Sequence, residues 1–384
     1  MISSGTARRV GNGPTKKRGF MYQQSKGKFT PQAHVGIPKG TYEDEHGRKG
    51  FFGRVSHLYH THKPTSWSRI EGPCRPQAFN TYKAPAQKDI FQPTFILENN
   101  DVKIGAMGPE GIQPYFFRNG DGDTCYFIHQ GAGTLETDFG PLKYSKGDYI
   151  VIPKGTTTRF STDKGEQKYL VIESHAEMNL PEKGLIGQHA LFDIAMLETP
   201  NPEESTSLAI NKEYEVRIKR ENQFTKVFYD FNPLDVVGWK GDLTAVKINI
   251  KEFRPVGSHR YHVAPSVHST FLGQGFVICS FVPRPFETDP EANRVPFYHR
   301  NIDCDEVIFY HDGDFFSRKN MGAGMISFHP FGIHHGPHPK AAETVKTKTM
   351  TDEYAVMVDT YSPLHPTDAA KQCEWTEYHL SWKE

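Results

Sequence analysis

The feature that most constrains the fold of this chain is that it repeats itself. Residues 114–131 read PYFFRNGDGDTCYFIHQG and residues 296–313 read PFYHRNIDCDEVIFYHDG. Set against each other without gaps at an offset of 182, they share Pro114/Pro296, Arg118/Arg300, Asn119/Asn301, Asp121/Asp303, Asp123/Asp305, Phe127/Phe309, His129/His311 and Gly131/Gly313. A second pairing follows each copy: Gly147-x5-Pro153-x-Gly155-x2-Thr158, then Gly324-x5-Pro330-x-Gly332-x2-His335. The repeat predicts an internal duplication of one β-domain, so that each copy serves as a control for the other.

Local patterns agree with an all-β fold. Short runs rich in Val, Ile and aromatics, such as GDYIVIPKG at 147–155 and GFVICSFVPRPF at 275–286, are bounded by Gly, Pro or Asp. Gly 34 and Pro 27 suit a chain of many turns. Helical periodicity is scarce, and GLIGQHALFDIAMLE at 184–198 is the best stretch for it. Residues 199–207 (TPNPEESTS) read as a connection. The expected organisation is a largely irregular tail over 1–40, an N-terminal β domain over 41–180, a connection with one helical segment over 181–230, and a C-terminal domain over 231–384. The Lys/Glu-rich run NKEYEVRIKREN at 211–222 reads as a solvated face.

Charge and cysteine usage exclude several classes. Lys+Arg 45 balances Asp+Glu 45, so no basic excess points to nucleic acid. No apolar run approaches the roughly 18 residues of a spanning helix, so no membrane is expected either. The five cysteines are odd in number and form no C-x-x-C pair, which fits free thiols in a reducing compartment. The basic N-terminus lacks an apolar h-region, and a disordered tail in a cytoplasmic protein is the expectation. Nineteen histidines are the number to pursue.

Three of those histidines and carboxylates carry a pattern. His299-x-Asn301-x4-Glu306-x6-Gly313 and Gly324-x5-Pro330-x-Gly332-x2-His335 resemble the two-part motif of the cupin family, with Asn301 in place of the usual second His. That resemblance implies two cupin-type (double-stranded β-helix, or jelly-roll) domains. Two imidazoles and one carboxylate form the facial triad of non-haem Fe(II) oxygenases, leaving positions open for substrate and dioxygen. His299, Glu306 and His335 supply that set. Asp305 is the alternative carboxylate and His334 the alternative imidazole; the spacings to Gly313 and Gly332 favour Glu306 and His335. The N-terminal copy has Phe117, Thr124 and Thr158 at the equivalent positions, so it is expected to lack the metal ligands.

At a finer level the chain resembles the homogentisate 1,2-dioxygenase family. The stretches that carry this are HKPTSW at 62–67, LPEKGLIGQHAL at 180–191, PLDVVGWKGDLTAVKINIKEF at 233–253, HVAPS at 262–266, YHRN at 298–301 and HHGPH at 334–338. The resemblance implies an Fe(II)-dependent ring-opening dioxygenase whose partners are O2 and an aromatic small molecule. Homogentisate, from tyrosine and phenylalanine breakdown, is the first substrate expected and maleylacetoacetate its product. It implies His299, Glu306 and His335 as iron ligands, His262 as the residue acting on the substrate hydroxyl, and His329 as a substrate-contacting neighbour of the iron shell. A neutral histidine suits proton acceptance at neutral pH; His259 and His268 compete with His262 for that role. The family also implies a homo-oligomer, a trimer or hexamer.

The chain departs from the family in three places. Phe297 and Phe315 stand where a substrate-site Tyr is usual, and the His299–Glu306 spacing is one residue longer. Arg284 or Arg300 is expected to hold a substrate carboxylate in their stead. Another hydroquinone, a gentisate-like acid, or a metal-dependent cupin isomerase reaction are the alternatives.

Overall fold

In the computed structural model, residues 24–50, 53–204, 213–294, 297–339 and 341–383 are described. Among them strands predominate, and the α-helices, Ala341–Thr347 and Asp368–Cys373, are short. No helix among the described residues is long and apolar enough to cross a membrane.

The duplication is visible strand by strand. One sheet runs Val246–Asn249, Asp148–Ile152, Asp123–Gln130, Lys168–Ser174, Val102–Met107, Thr94–Glu98, with His365–Pro366 at its edge. Another runs Gln77–Asn80, Met325–His329, Asp305–Gly313, Glu353–Thr360, Phe276–Phe281, Ser269–Gly273. The two orders correspond position for position. This is the architecture of two cupin-type barrels, and among the described residues only the second carries groups of side chains that could hold a metal ion.

Each barrel is completed by the other copy's leading segment. Val246–Asn249 precedes the second copy but pairs with Asp148–Ile152 of the first, while Gln77–Asn80 precedes the first and pairs with Met325–His329 of the second. The hairpin Tyr214–Arg220/Gln223–Tyr229 lies parallel against Phe116–Asn119, and Tyr42–Gly47/Val55–His60 lies parallel against Tyr298–Asn301. The exchange covers sheet edges that would otherwise offer unpaired backbone groups. The expected N-terminal unit 41–180 therefore includes three strands, Tyr42–Gly47, Val55–His60 and Gln77–Asn80, that join the sheets of the second barrel.

Two local expectations are corrected. The segment 184–198 is not one helix but two single 3-10 turns, Gly184–Ile186 and Ile194–Met196. Gly187 (φ 89°) and Leu191 (φ 64°) break the helix, and the chain instead buries Leu191 and Phe192. Phe192 stacks on Phe253 at 5.0 Å, and Lys183 Nζ donates to the carbonyls of Ala190 and Phe192. The run 211–222 is not simply a solvated face either. From Tyr214 it is a strand that buries Tyr214, Val216 and Lys219, the last against Glu173; residues 211 and 212 lie outside the described residues.

The repeated motif meets itself between the barrels. Phe127 and Phe309 pack at 6.3 Å between ring centroids, both fully buried; each contributes about 1.5–3 kcal/mol by burial. His129 Nδ1 and His311 Nδ1 lie 2.9 Å apart, which requires one neutral ring to donate and the other to accept. Burial pushes His129 down to about 4 and His311 down to about 3; Lys146 adds to both, Lys168 to His129 and Lys251 to His311, while Asp312 opposes. The unfolded chain binds more protons than the folded one between those values and about 6.5, so this pair's contribution is full above about 6.5 and is lost as pH falls toward 4. Thermal midpoints from pH 7 to pH 4.5 are expected to fall less steeply in a His129→Leu/His311→Leu double variant than in the wild type; equal slopes would contradict the assignment.

Candidate metal centre

Two strands and the turn after a third bring the triad together. His299 lies on Tyr298–Asn301, Glu306 is the second residue of the long strand Asp305–Gly313, and His335 follows Met325–His329 and pairs with His299 through two backbone hydrogen bonds of 2.9 Å. Their ligand atoms all lie within 4.8 Å of one another. Glu306 Oε2 is 3.4 Å from His299 Nε2 and 3.6 Å from His335 Nε2. The opposite nitrogens are fixed: His299 Nδ1 donates to the Phe297 carbonyl (3.3 Å) and His335 Nδ1 to the Ile333 carbonyl (3.1 Å). Both Nε2 lone pairs are thereby presented toward one carboxylate oxygen.

The electrostatics fit a cation among these atoms. His335 is fully buried, yet its Nε2 has no hydrogen-bond partner, an orphan that costs roughly 1–3 kcal/mol unless something binds it. Burial opposes charge on Glu306, but His335, His299 and His329 together hold its carboxyl well below the usual range. Burial lowers His335, whereas for His299 the pull of Glu306 and Glu45 outweighs burial. One ionised carboxylate and two imidazole nitrogens at this spacing are a donor set for a divalent transition metal with open positions.

The alternatives of the sequence separate cleanly. Asp305 accepts from the backbone N–H of Phe331 and Leu364 at 2.7 Å each, so both its oxygens hold loops. Its twin Asp123 does the same for Lys154 and Met178, which accounts for the repeated Asp. His334 Nε2 faces Asp44, at 3.1 Å. His329 Nδ1 donates to Glu306 Oε1 at 2.7 Å, and its Nε2 accepts from Tyr378 at 3.0 Å. It thus orients the carboxylate from behind, and burial pushes it down to about 3.

A cavity opens on two members of the triad. His299, Glu306, Phe297 and His262 share its wall with two arginines, Arg284 and Arg318. Phe315 does not line it; that ring packs edge-on against Tyr310, in a cluster with Met321 and Trp382. Arg300 turns away to His46, at 2.9 Å. Of the competing histidines, His259 is exposed and His268 is bound by Arg284.

Residues 109–250 match the family described as homogentisate 1,2-dioxygenase N-terminal, and residues 253–384 match homogentisate 1,2-dioxygenase C-terminal. The chain belongs to the homogentisate 1,2-dioxygenase family. A protein of Saccharolobus solfataricus, provisionally named a dioxygenase, is 32% identical over 88% of this chain and 92% of its own length. Homogentisate 1,2-dioxygenase of Sinorhizobium fredii is 26% identical over 68% of this chain, a match spanning 60% of that enzyme's length. Among solved structures, a cupin 2 conserved barrel domain protein from Leptotrichia buccalis aligns over 74% of this chain and 96% of its own, at 10% identity and a TM-score of 0.33.

Within this family member, sequence reasoning missed Arg318, Glu353 and Tyr310 as cavity residues. Arg318 sits in FFSRKN and Glu353 in TDEYAV, with no spacing that ties either to the triad. Only the pairing of Asp305–Gly313 with Glu353–Thr360 brings Glu353 there. Arg318 is held by the Gly336 carbonyl at 2.8 Å, one residue past His335, while its Nε has no partner.

Proposed function

We propose that this chain is an Fe(II)-dependent ring-opening dioxygenase that inserts both atoms of O2 into a hydroquinone-type aromatic acid, with homogentisate giving maleylacetoacetate as the first choice. The observation that carries the reading is the buried His299–Glu306–His335 set opening onto a cavity that also holds a histidine base and two guanidinium groups. Iron, when bound, would join the substrate hydroxyl to dioxygen and pass electrons from ring to oxygen.

The protein's own residues do the rest. His299, Glu306 and His335 hold the ion, and His329 fixes the carboxylate. His262 Nδ1 donates to Glu287 Oε1 at 3.2 Å, which leaves Nε2 to accept the phenolic proton. Burial, opposed by Glu287 and aided by Arg284, pushes His262 down to about 4, so it is neutral where a base is needed. Phe281, Ile308 and Met357 line the apolar wall on which an aromatic ring can pack.

Arg284 and Arg318 face one further carboxylate in the cavity, Glu353, which burial pushes up against their pull. With Glu306 committed to the ion, the guanidinium charge in the cavity exceeds the remaining carboxylate charge, which favours a substrate that carries its own carboxylate. Arg318→Met is expected to raise KM for homogentisate by about tenfold or more, since charge-assisted hydrogen bonds contribute about 1.5–3 kcal/mol. It should leave KM for an uncharged hydroquinone nearly unchanged. Equal effects on both would remove Arg318 from substrate binding.

Phe297 supports a second reading in which the same chemistry acts on another hydroquinone or a gentisate-like acid. Its ring is on the cavity wall where the family usually offers a phenol. Oxygen uptake across homogentisate, gentisate and hydroquinone tests the choice: a preference for gentisate would replace the substrate and keep the chemistry. Turnover without oxygen uptake would indicate an isomerase. A cytoplasmic homo-oligomer completes the proposal. Exposed Val237 in the DVVGWKG segment, with Phe231 and Leu243 on either side of it, fits burial between copies, and light scattering giving a monomer would count against it.

A further inference from the structure

A second cluster of metal-ligating side chains stands beside the triad. His34 Nε2 lies 3.3 Å and His57 Nε2 3.8 Å from one oxygen of Glu45, Oε2, and the three ligand atoms lie within 4.8 Å of one another. In the candidate iron centre the same three distances are 3.4 Å, 3.6 Å and within 4.8 Å. Donors of one tetrahedral zinc are themselves about 3.3 Å apart, given metal–ligand distances near 2.0–2.2 Å. The donor set, two imidazole Nε2 and one carboxylate oxygen, is thus repeated at nearly the same size.

The imidazoles are also set for ligation. A single buried carboxylate, Glu43, receives His34 Nδ1 at 2.9 Å on one oxygen and lies 3.3 Å from His57 Nδ1 with the other. Asn293 Nδ2 steadies it at 3.0 Å. A carboxylate behind the distal nitrogen fixes the tautomer and raises the basicity of the ligating nitrogen, as metal sites commonly arrange. His34 takes this place only by adopting φ 62°, a left-handed conformation uncommon for residues other than glycine.

The duplication supplies the control. Glu45 pairs with His299, and in the other barrel Arg217 pairs with Phe117, the twin of His299. Across the hairpin Glu45 faces His57, and Arg217 faces Lys226. Glu215, two residues before Arg217 as Glu43 is before Glu45, binds Arg217 at 2.6 Å and Lys226 at 3.3 Å. One barrel therefore meets Glu215 with two fixed cations, of which Arg217 also binds Asp89 at 2.8 Å. The other has Glu45 in place of Arg217 and His57 in place of Lys226, with His34 added, so the positive charge facing its two carboxylates must come from protons or from an ion. A divalent ion balances both carboxylates while leaving both rings neutral.

We propose that His34, Glu45 and His57 form a second metal site, taking a divalent first-row transition ion such as Zn2+, with Glu43 orienting both imidazoles. It is separate from the candidate iron centre, and the proposal does not rest on the reaction assigned there. His299, Glu45 and His57 occupy adjacent positions on three neighbouring strands, spaced about 4.8 Å apart. The site would clip the segment around His34 onto the hairpin, next to the cavity wall: His34 packs on Phe297 at 4.6 Å and lies 5.9 Å from His262.

The test is zinc counting on the full chain, stripped with chelator, reloaded with Zn2+, desalted and measured by elemental analysis. Two equivalents are expected for the wild type, one for His57→Gln, one for His335→Gln and none retained by the double variant. One equivalent in the wild type that His57→Gln leaves in place would overturn the second site, as would two that His57→Gln does not reduce. A count that falls with His57→Gln but not with His335→Gln would uphold this site and sink the candidate iron centre, so the two failures are distinct. Circular dichroism in chelator verifies folding; if His57→Gln does not fold, His57→Lys, which copies Lys226 of the twin, reads the same count.

Discussion

Glu306→Gln is expected to abolish oxygen consumption and to strip the centre of iron, with loss of activity to the detection limit. Glu306 is the single anion among the three donors, and its two oxygens have separate tasks. Oε2 faces both imidazole Nε2 atoms, and Oε1 receives the proton of His329. An amide offers a neutral oxygen on one side and an NH2 on the other, so it loses the charge that attracts the ion and opposes the donor on the other side. His329→Gln should be milder, costing about 10–100-fold in metal affinity, as is usual for a partner behind a ligand. Iron content after anaerobic loading, measured beside activity, checks both. Full iron occupancy in Glu306→Gln would mean that another carboxylate ligates.

The second large effect concerns His262. His262→Gln is expected to keep its iron and lose about 10²- to 10⁴-fold in kcat, the range that general acid–base groups contribute. The residue is 5% exposed, lines the cavity with His299 and Glu306, and is oriented by Glu287. Its depressed proton affinity, to about 4, has a visible consequence. The base form persists down to that pH, so the acid limb assigned to His262 in kcat/KM lies near pH 4 rather than near 6.5. A variant with kcat within a few fold of the wild type would transfer the proton to another group.

The architecture was readable because a duplicated domain leaves the same residues at the same spacing twice. Asp123 and Asp305 each pin two loop amides, and His129 and His311 meet each other, so their identity has a physical cause. The three candidate ligands stood out for a different reason: they are not repeated in the first copy, and their spacing is local to two strands and the turn that follows. The strand exchange was not readable. Nothing in Gln77–Asn80 or Val246–Asn249 shows which barrel each will complete, because either edge presents the same backbone groups. Residues whose place depends on that exchange, His34, Glu45 and His57, were invisible as a group for this reason. Arg318 and Glu353 escaped because pairing of distant strands, rather than spacing, carries them to the cavity. Phe315 sat in a family position but packs behind Tyr310, since one ring edge decides whether a side chain lines a cavity or supports its wall.

The central claim is that His299, Glu306 and His335 hold the iron at which an aromatic acid and dioxygen react. The most direct measurement is oxygen uptake by anaerobically Fe(II)-loaded protein mixed with homogentisate, followed beside the absorbance of the ring-opened product and repeated with His335→Ala. The account predicts one O2 consumed per ring opened, and no uptake in the variant. Ring opening that proceeds undiminished in His335→Ala, or that consumes no oxygen in the wild type, would contradict it.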